Sequence, residues 1–190
     1  MSNIAIKGAA TGSGTFTLEA PATSTNRTLS LPDEAGTILT TATAGVPING
    51  PAFSAYGSAT QSLGTSVTTK VILNTEEFDT NSDFDSATNY RFTPTVAGYY
   101  QLTSTMFFAG GGAGGVGALY IYKNGVLFKQ ISSPFISGSN LFPILSSLVY
   151  ANGSTDYFEV YLYQNSGTTR ACGSNSASFF FAGCLVRSAT

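Results

Sequence analysis

The chain has 190 residues, of which 43% are hydrophobic, 13% aromatic and only 9% charged, with 21 Gly and a formal net charge of -2. That balance packs a core in one or two small domains and favours strands and turns over helices. It lacks a basic stripe for a phosphate backbone, so no nucleic-acid partner is expected, and the absence of His closes Ser-His-Asp and Cys-His mechanisms and His-ligated zinc or iron.

In chain order, the start MSNIAIKGAATG has no signal peptide's apolar segment and no later run approaches the roughly 20 apolar residues of a membrane span. Cytoplasmic synthesis without membrane insertion is expected. From Met1 to about Gly50 apolar residues come in pairs: Ile4 and Ile6, Phe16 and Leu18, Leu29 and Leu31, then Ile38. Residues two apart share a strand face, so each pair marks a short half-buried strand between the turn-rich pieces GAATGSG, APATSTN and PDEAG. One copy buries too little apolar surface to offset the entropy of ordering these strands. Identical chains wound about a common axis supply the missing partners and cover the sheet edges. A disordered arm suits the same composition, but the period of two favours the intertwined oligomer.

TATAGVPINGPAFSAY reads as a junction, with Pro47 and Pro51 bracketing Asn49-Gly50, and divides the chain into 1–50 and 51–190. Denser strands are expected at Lys70–Leu73, Asn89–Phe92, Gly98–Phe108, Ala118–Tyr122, Ile144–Tyr150, Tyr157–Tyr163 and Ser178–Val186. Many short strands separated by Gly, Asn and Ser clusters imply an all-β sandwich or jelly roll. In YIYKNGVLF, Asn124-Gly125 suits the two positive-φ positions of a type I′ hairpin. Cys172 and Cys184 read as two buried thiols, with a disulfide as the alternative.

The second segment resembles the complement one-q and tumour necrosis factor superfamily of globular heads. Asp79, then Phe84-Asp85, Phe92-Thr93, and Gly98 followed by Tyr100 keep the order of its central signature. Tyr122-Lys123-Asn124-Gly125 is similar to its Lys-Asn-Gly hairpin, Gly153 to Tyr161 to its Gly-Asp-x-Val strand, and SASFFFAGCLV, with Phe179 and Gly183, to its closing strand. The departures are one extra residue between Phe84 and Phe92, and Leu102 and Leu73 where aromatics are usual. The resemblance implies a ten-stranded jelly roll assembled as a homotrimer. These are core and turn residues, so it implies little about ligand. GTFTLEAPATSTNRTLSLPDEAGTILTT, in turn, resembles a short module of tailed-bacteriophage fibre proteins over Gly14 to about Thr41.

Candidate sites are few. Gly112, Gly114 and Gly117 spell GxGxxG, but a strand follows where a dinucleotide site needs a helix N-terminus, so the stretch reads as a loop able to approach a receptor. Glu76, Glu77, Asp79, Asp83 and Asp85 could offer oxygen ligands to calcium but lack the EF-hand spacing; they read as solvated turn residues, and no cofactor is expected. No feature locates a cleft with paired carboxylates, so no enzymatic activity is expected. Tyr99, Tyr100, Tyr120, Tyr122, Tyr161 and Tyr163 sit within strands, where alternation divides them between core, interface and solvent. Receptor contact is assigned to loops, with Gly112, Gly114, Phe135, Asn140, Arg170 and Asn175 as candidates.

Together the two resemblances imply a virion structural protein of a tailed bacteriophage: a trimeric tail fibre whose first segment meets other virion proteins and whose knob binds a host-surface glycan or protein. The alternatives are a head-attached fibre or capsid decoration protein, and a secreted complement-like binding protein.

Overall fold

The computed structural model describes residues 11, 22, 24–26, 50–110, 114–173 and 175–189. The chain divides into two compact units, Met1–Leu39 and Thr40–Thr190, a division that comes before the Gly50/Pro51 junction. Ile4, Ile6, Phe16, Leu18, Leu29, Leu31 and Ile38 lie outside the described residues, as does Gly112.

The described residues form thirteen strands and no helix: β1 (Ala52–Tyr56), β2 (Gln61–Leu63), β3 (Thr69–Lys70), β4 (Thr75–Asp79), β5 (Phe84–Asp85), β6 (Arg91–Phe92), β7 (Gly98–Thr105), β8 (Val116–Lys123), β9 (Val126–Pro134), β10 (Ile144–Ala151), β11 (Phe158–Gln164), β12 (Arg170–Cys172) and β13 (Phe180–Ser188). One sheet has the order β10-β7-β13-β1-β4; the other runs β5-β6-β11-β8-β9, with β3 also on β11, and β12 pairs β2 in a short ribbon. All the pairings are antiparallel. The result is a jelly-roll sandwich.

Alternation drives the layering. In β7, Tyr100, Leu102 and Ser104 are buried while Tyr99 points to solvent; in β11, Phe158, Val160 and Leu162 point inward and Glu159, Tyr161 and Tyr163 outward. Between the sheets lies one aromatic-rich core. The Phe53 ring stacks on Phe84 and Phe92 with centroids 5.1 and 4.2 Å away and meets the Phe181 edge at 5.0 Å. Gly183 admits this packing, because a Cβ there would lie 2.5 Å from Leu102 Cδ2 and 2.9 Å from the Phe53 ring.

The expected strands appear with shifted ends. Gly98–Phe108 stops at Thr105, and Phe108 continues only as single bridges to Leu141 and Cys172. Lys70–Leu73 shortens to Thr69–Lys70, while Val71 and Leu73 turn into the core. Gly110 to Gly117 is not wholly loop, since Val116 and Gly117 open β8. Likewise Arg170, expected in a loop, opens β12 (Arg170–Cys172), and Phe135 directly follows the end of β9 at Pro134. Strands β1, β2, β4, β5 and β12 had no alternation long enough to register; they are strands because neighbours offer backbone groups to pair. Both cysteines are free, and the expectation of two buried thiols holds for Cys172 alone: Cys184 is exposed on β13. Burial pushes the Cys172 thiol up to about 12.

Candidate functional site

The signature residues serve the scaffold. Asp79 Oδ2 accepts from Phe84 N at 2.7 Å and its Oδ1 from Asn81 N at 3.2 Å, closing the β4–β5 turn. Asp85 accepts from the amides of Ala87, Thr88 and Asn89, and the Thr88 N–H foremost holds its carboxyl below the ordinary aspartate range. Tyr100 Oη donates to Val96 O at 2.7 Å, and burial, helped by the Asp83 charge, pushes its pKa up to about 12. Asn124 and Gly125 carry φ of 54° and 76° between β8 and β9. Asn124 also receives Tyr157 N at 2.9 Å and donates to Asp156 Oδ1 at 2.7 Å. Phe84, Phe92 and Phe179 are buried, as is Gly98, which packs against the Arg187 backbone.

The acidic group matches the expectation of solvated turn residues in part. Glu76 and Glu77 are exposed but lie on β4 rather than in a turn, Asp79 and Asp85 do bind turn amides, and Asp83 departs from the expectation by being buried. Ser86 Oγ donates to Glu76, Ser54 Oγ to Glu77, and Thr95 N to Asp83 Oδ2. Among the described residues no three His, Cys, Asp or Glu side chains converge as a metal site.

The loop candidates part company. Gly114, Asn140 and Asn175 are exposed. Asn140 Oδ1 accepts from Gly110 N at 2.8 Å, and Asn175 Oδ1 from Ser178 N at 3.1 Å, so both also pin their loops. Phe135 and Arg170 are buried rather than displayed. Arg170 is 4% exposed, its guanidinium stacks 3.9 Å over the Phe135 ring, and it donates to Ala109 O and Ser166 Oγ at 3.0 and 2.8 Å. This cation–π pair ties three loops together at one end of the sandwich, an arrangement that a lone Arg in a polar stretch does not reveal. The chain enters β1 from the other half, where Gly50 lies against Leu185.

Two surfaces stand out that the loops did not suggest. The outer face of the five-stranded sheet carries Phe78, Tyr99, Ile144, Leu148, Tyr150 and Val186, with Leu148 54% exposed. Tyr99, Leu148, Tyr150 and Val186 line one shallow depression with Arg187 and Ser188, and the Tyr99 and Tyr150 rings lie 5.5 Å apart. Beside it, β9 and β10 are long strands at the edges of their sheets, and β9 exposes Val126, Leu127 and Phe128. The second surface is the outer face of the other sheet. There Tyr120 and Tyr122 of β8 lie beside Tyr161 and Tyr163 of β11, with centroids 4.3 Å apart for Tyr122–Tyr161 and 6.5 Å for Tyr120–Tyr163. The signal was present as Tyr at i and i+2 in LYIYK and VYLYQ; the cross-strand register that joins the pairs was not.

No protein-family model matches the chain, and no curated protein matches it in sequence. Solved structures do match in fold. The globular domain of zebrafish complement 1qA superposes with a TM-score of 0.51 at 20% identity, over 73% of this chain and 99% of that domain. Murine APRIL gives 0.56 at 10% identity, over 73% and 100%. PRD1 vertex protein P5 gives 0.53 at 18% identity, over 72% and 97%. The sandwich thus has the complement one-q and tumour necrosis factor-like jelly-roll fold.

Proposed function

We propose that this protein is a non-enzymatic, cofactor-independent virion protein: a homotrimeric tail fibre whose first segment joins other virion proteins and whose jelly roll is a knob for host-surface adhesion. The observation that carries the reading is the apolar outer face of the five-stranded sheet, flanked by the unpaired edges of β9 and β10. A face of this kind asks for a covering partner, and copies of the same chain supply one by closed rotation. The loops gathered by Arg170 lie at the opposite end of the sandwich from Gly50. Three knobs on one axis raise the effective concentration of the later contacts, so weak individual binding to a repetitive cell surface holds a particle.

The likeness to a vertex protein favours a second placement, on the head as a fibre or decoration protein. Imaging of particles separates the two: density on capsomers rather than the tail moves the protein to the head. Assembly is tested by mass in solution. Three times 19.7 kDa is expected for the whole chain, and Leu148→Glu, which puts a charge on the apolar face, is expected to yield single subunits with unchanged circular dichroism. A parent protein that is monomeric at micromolar concentration refutes the trimer.

A further inference from the structure

We propose that the four tyrosines on the outer face of the six-stranded sheet, Tyr120, Tyr122, Tyr161 and Tyr163, form a docking platform for an uncharged glycan chain. This rests on the adhesion reading above and moves the contact from the loops to the sheet. The four rings are all partly exposed and lie side by side across β8 and β11, forming a continuous aromatic surface. Tyr presents an apolar ring face with a hydroxyl at its tip, the combination that matches a sugar's C–H face and its ring of hydroxyls.

Charge selects among glycans. The platform itself has no charged group, and at its rim the outward positions of β3, β5, β6 and β11 hold two cations, Lys70 and Arg91, and two carboxylates, Asp85 and Glu159. Lys70 Nζ meets Glu159 Oε1 at 2.6 Å, and β6 pairs Arg91 opposite both Asp85 and Glu159. This rim is therefore neutral in sum. On the β9 side the uncharged Gln130 lies opposite Tyr120, while the exposed Lys129 lies opposite the inward-facing Ile121. An anionic polysaccharide finds no unmatched cation among the groups beside the rings, whereas an uncharged one has no electrostatic penalty to meet. Burial foremost, with neighbouring phenols and Glu159, raises the Tyr120 and Tyr161 hydroxyls above the ordinary tyrosine range, so both stay neutral; Tyr161 Oη already donates to Glu159 Oε2 at 3.4 Å and offers a sugar its oxygen as an acceptor. The rings form a two-by-two patch, with 6.3 Å between Tyr120 and Tyr122 along β8 and 6.5 Å between Tyr120 and Tyr163 across to β11, so more than one sugar of a chain can lie on it.

The test uses the full chain and saturation-transfer NMR with uncharged oligosaccharides of glucose, mannose, galactose and N-acetylglucosamine, beside polygalacturonate as the anionic comparison. Because the chain has no Trp, tyrosine fluorescence gives a second reading of the same event. Binding of at least one uncharged oligosaccharide is expected, weakened roughly tenfold or more by Tyr120→Ala with Tyr161→Ala and unaffected by Val67→Ala. Should the alanine variant unfold, Tyr120→Phe with Tyr161→Phe keeps the rings and is expected to weaken binding about threefold through the lost hydroxyls. The platform is overturned if no uncharged oligosaccharide binds, if only polygalacturonate does, or if binding survives both sets of substitutions. Mass measured on the same samples keeps the two readings apart. A trimer that binds no sugar retires the platform alone, while a single subunit retires the assembly.

Discussion

Individual side chains carry unequal shares of this fold. Phe92 is fully buried against Phe53 and meets the Tyr100 edge at 5.4 Å, so Phe92→Ala removes packing that no neighbour can replace. A loss of about 3–5 kcal/mol is expected, read as a lower denaturant midpoint. Among the polar groups, burial pushes the Asp156 carboxyl up, but hydrogen bonds from Lys123, Asn124 and the Asn152 amide outweigh it and leave the pKa lowered. The Asp85 carboxyl is also lowered, chiefly by the Thr88 amide. A depressed folded-state pKa contributes stability above the unfolded value, and that stability is lost as pH falls through the folded one. Unfolding free energy is therefore expected to decline below about pH 4, less steeply in Asp156→Asn, as followed by urea titrations across that range. The Asp79 and Asp85 turns were legible from the family pattern. The burial of Arg170 was not, because its ring partner lies 35 positions earlier and only folding stacks them.

At the scale of elements, the β8–β9 hairpin was the most legible feature, since Asn-Gly meets a local steric demand that needs no tertiary partner. Gly125 has φ of 76° and an added Cβ would lie 3.4 Å from Tyr157 Oη. Gly125→Ala is expected to cost about 1–2 kcal/mol from the left-handed backbone, lowering the urea midpoint with an unchanged slope. Short strands were legible in place but not in extent. Those expected at Asn89–Phe92 and Lys70–Leu73 shrink to Arg91–Phe92 and Thr69–Lys70, two residues each, and both lie along one edge of β11, which they share. Two residues have no measurable period, so such strands exist only because β11 presents a row of backbone groups that must be paired.

For the whole molecule, Cys184 is a reporter of assembly. It is exposed on β13, between Ala52 and Gln101, on the face assigned to subunit contact. Thiol reagents at neutral pH are expected to leave Cys172 unlabelled, as its thiol is buried and its pKa is pushed up to about 12. In the proposed trimer Cys184 is expected to be protected, and in Leu148→Glu to take up one equivalent of label. Fast labelling of the undissociated protein at Cys184 would place the contact elsewhere.

The fold class, the principal strands and the hairpin were legible in the residues alone. These follow from local alternation and turn chemistry, which each short window carries in full. Folding decided which faces are apolar and unpartnered, that four tyrosines meet across two strands, and that Arg170 is buried where it holds loops together. The physical reason is register: alternation assigns a side chain to a face, but its neighbours there depend on which strands pair and at what offset. Those pairings join segments far apart in the chain, as when Ala52 meets Cys184.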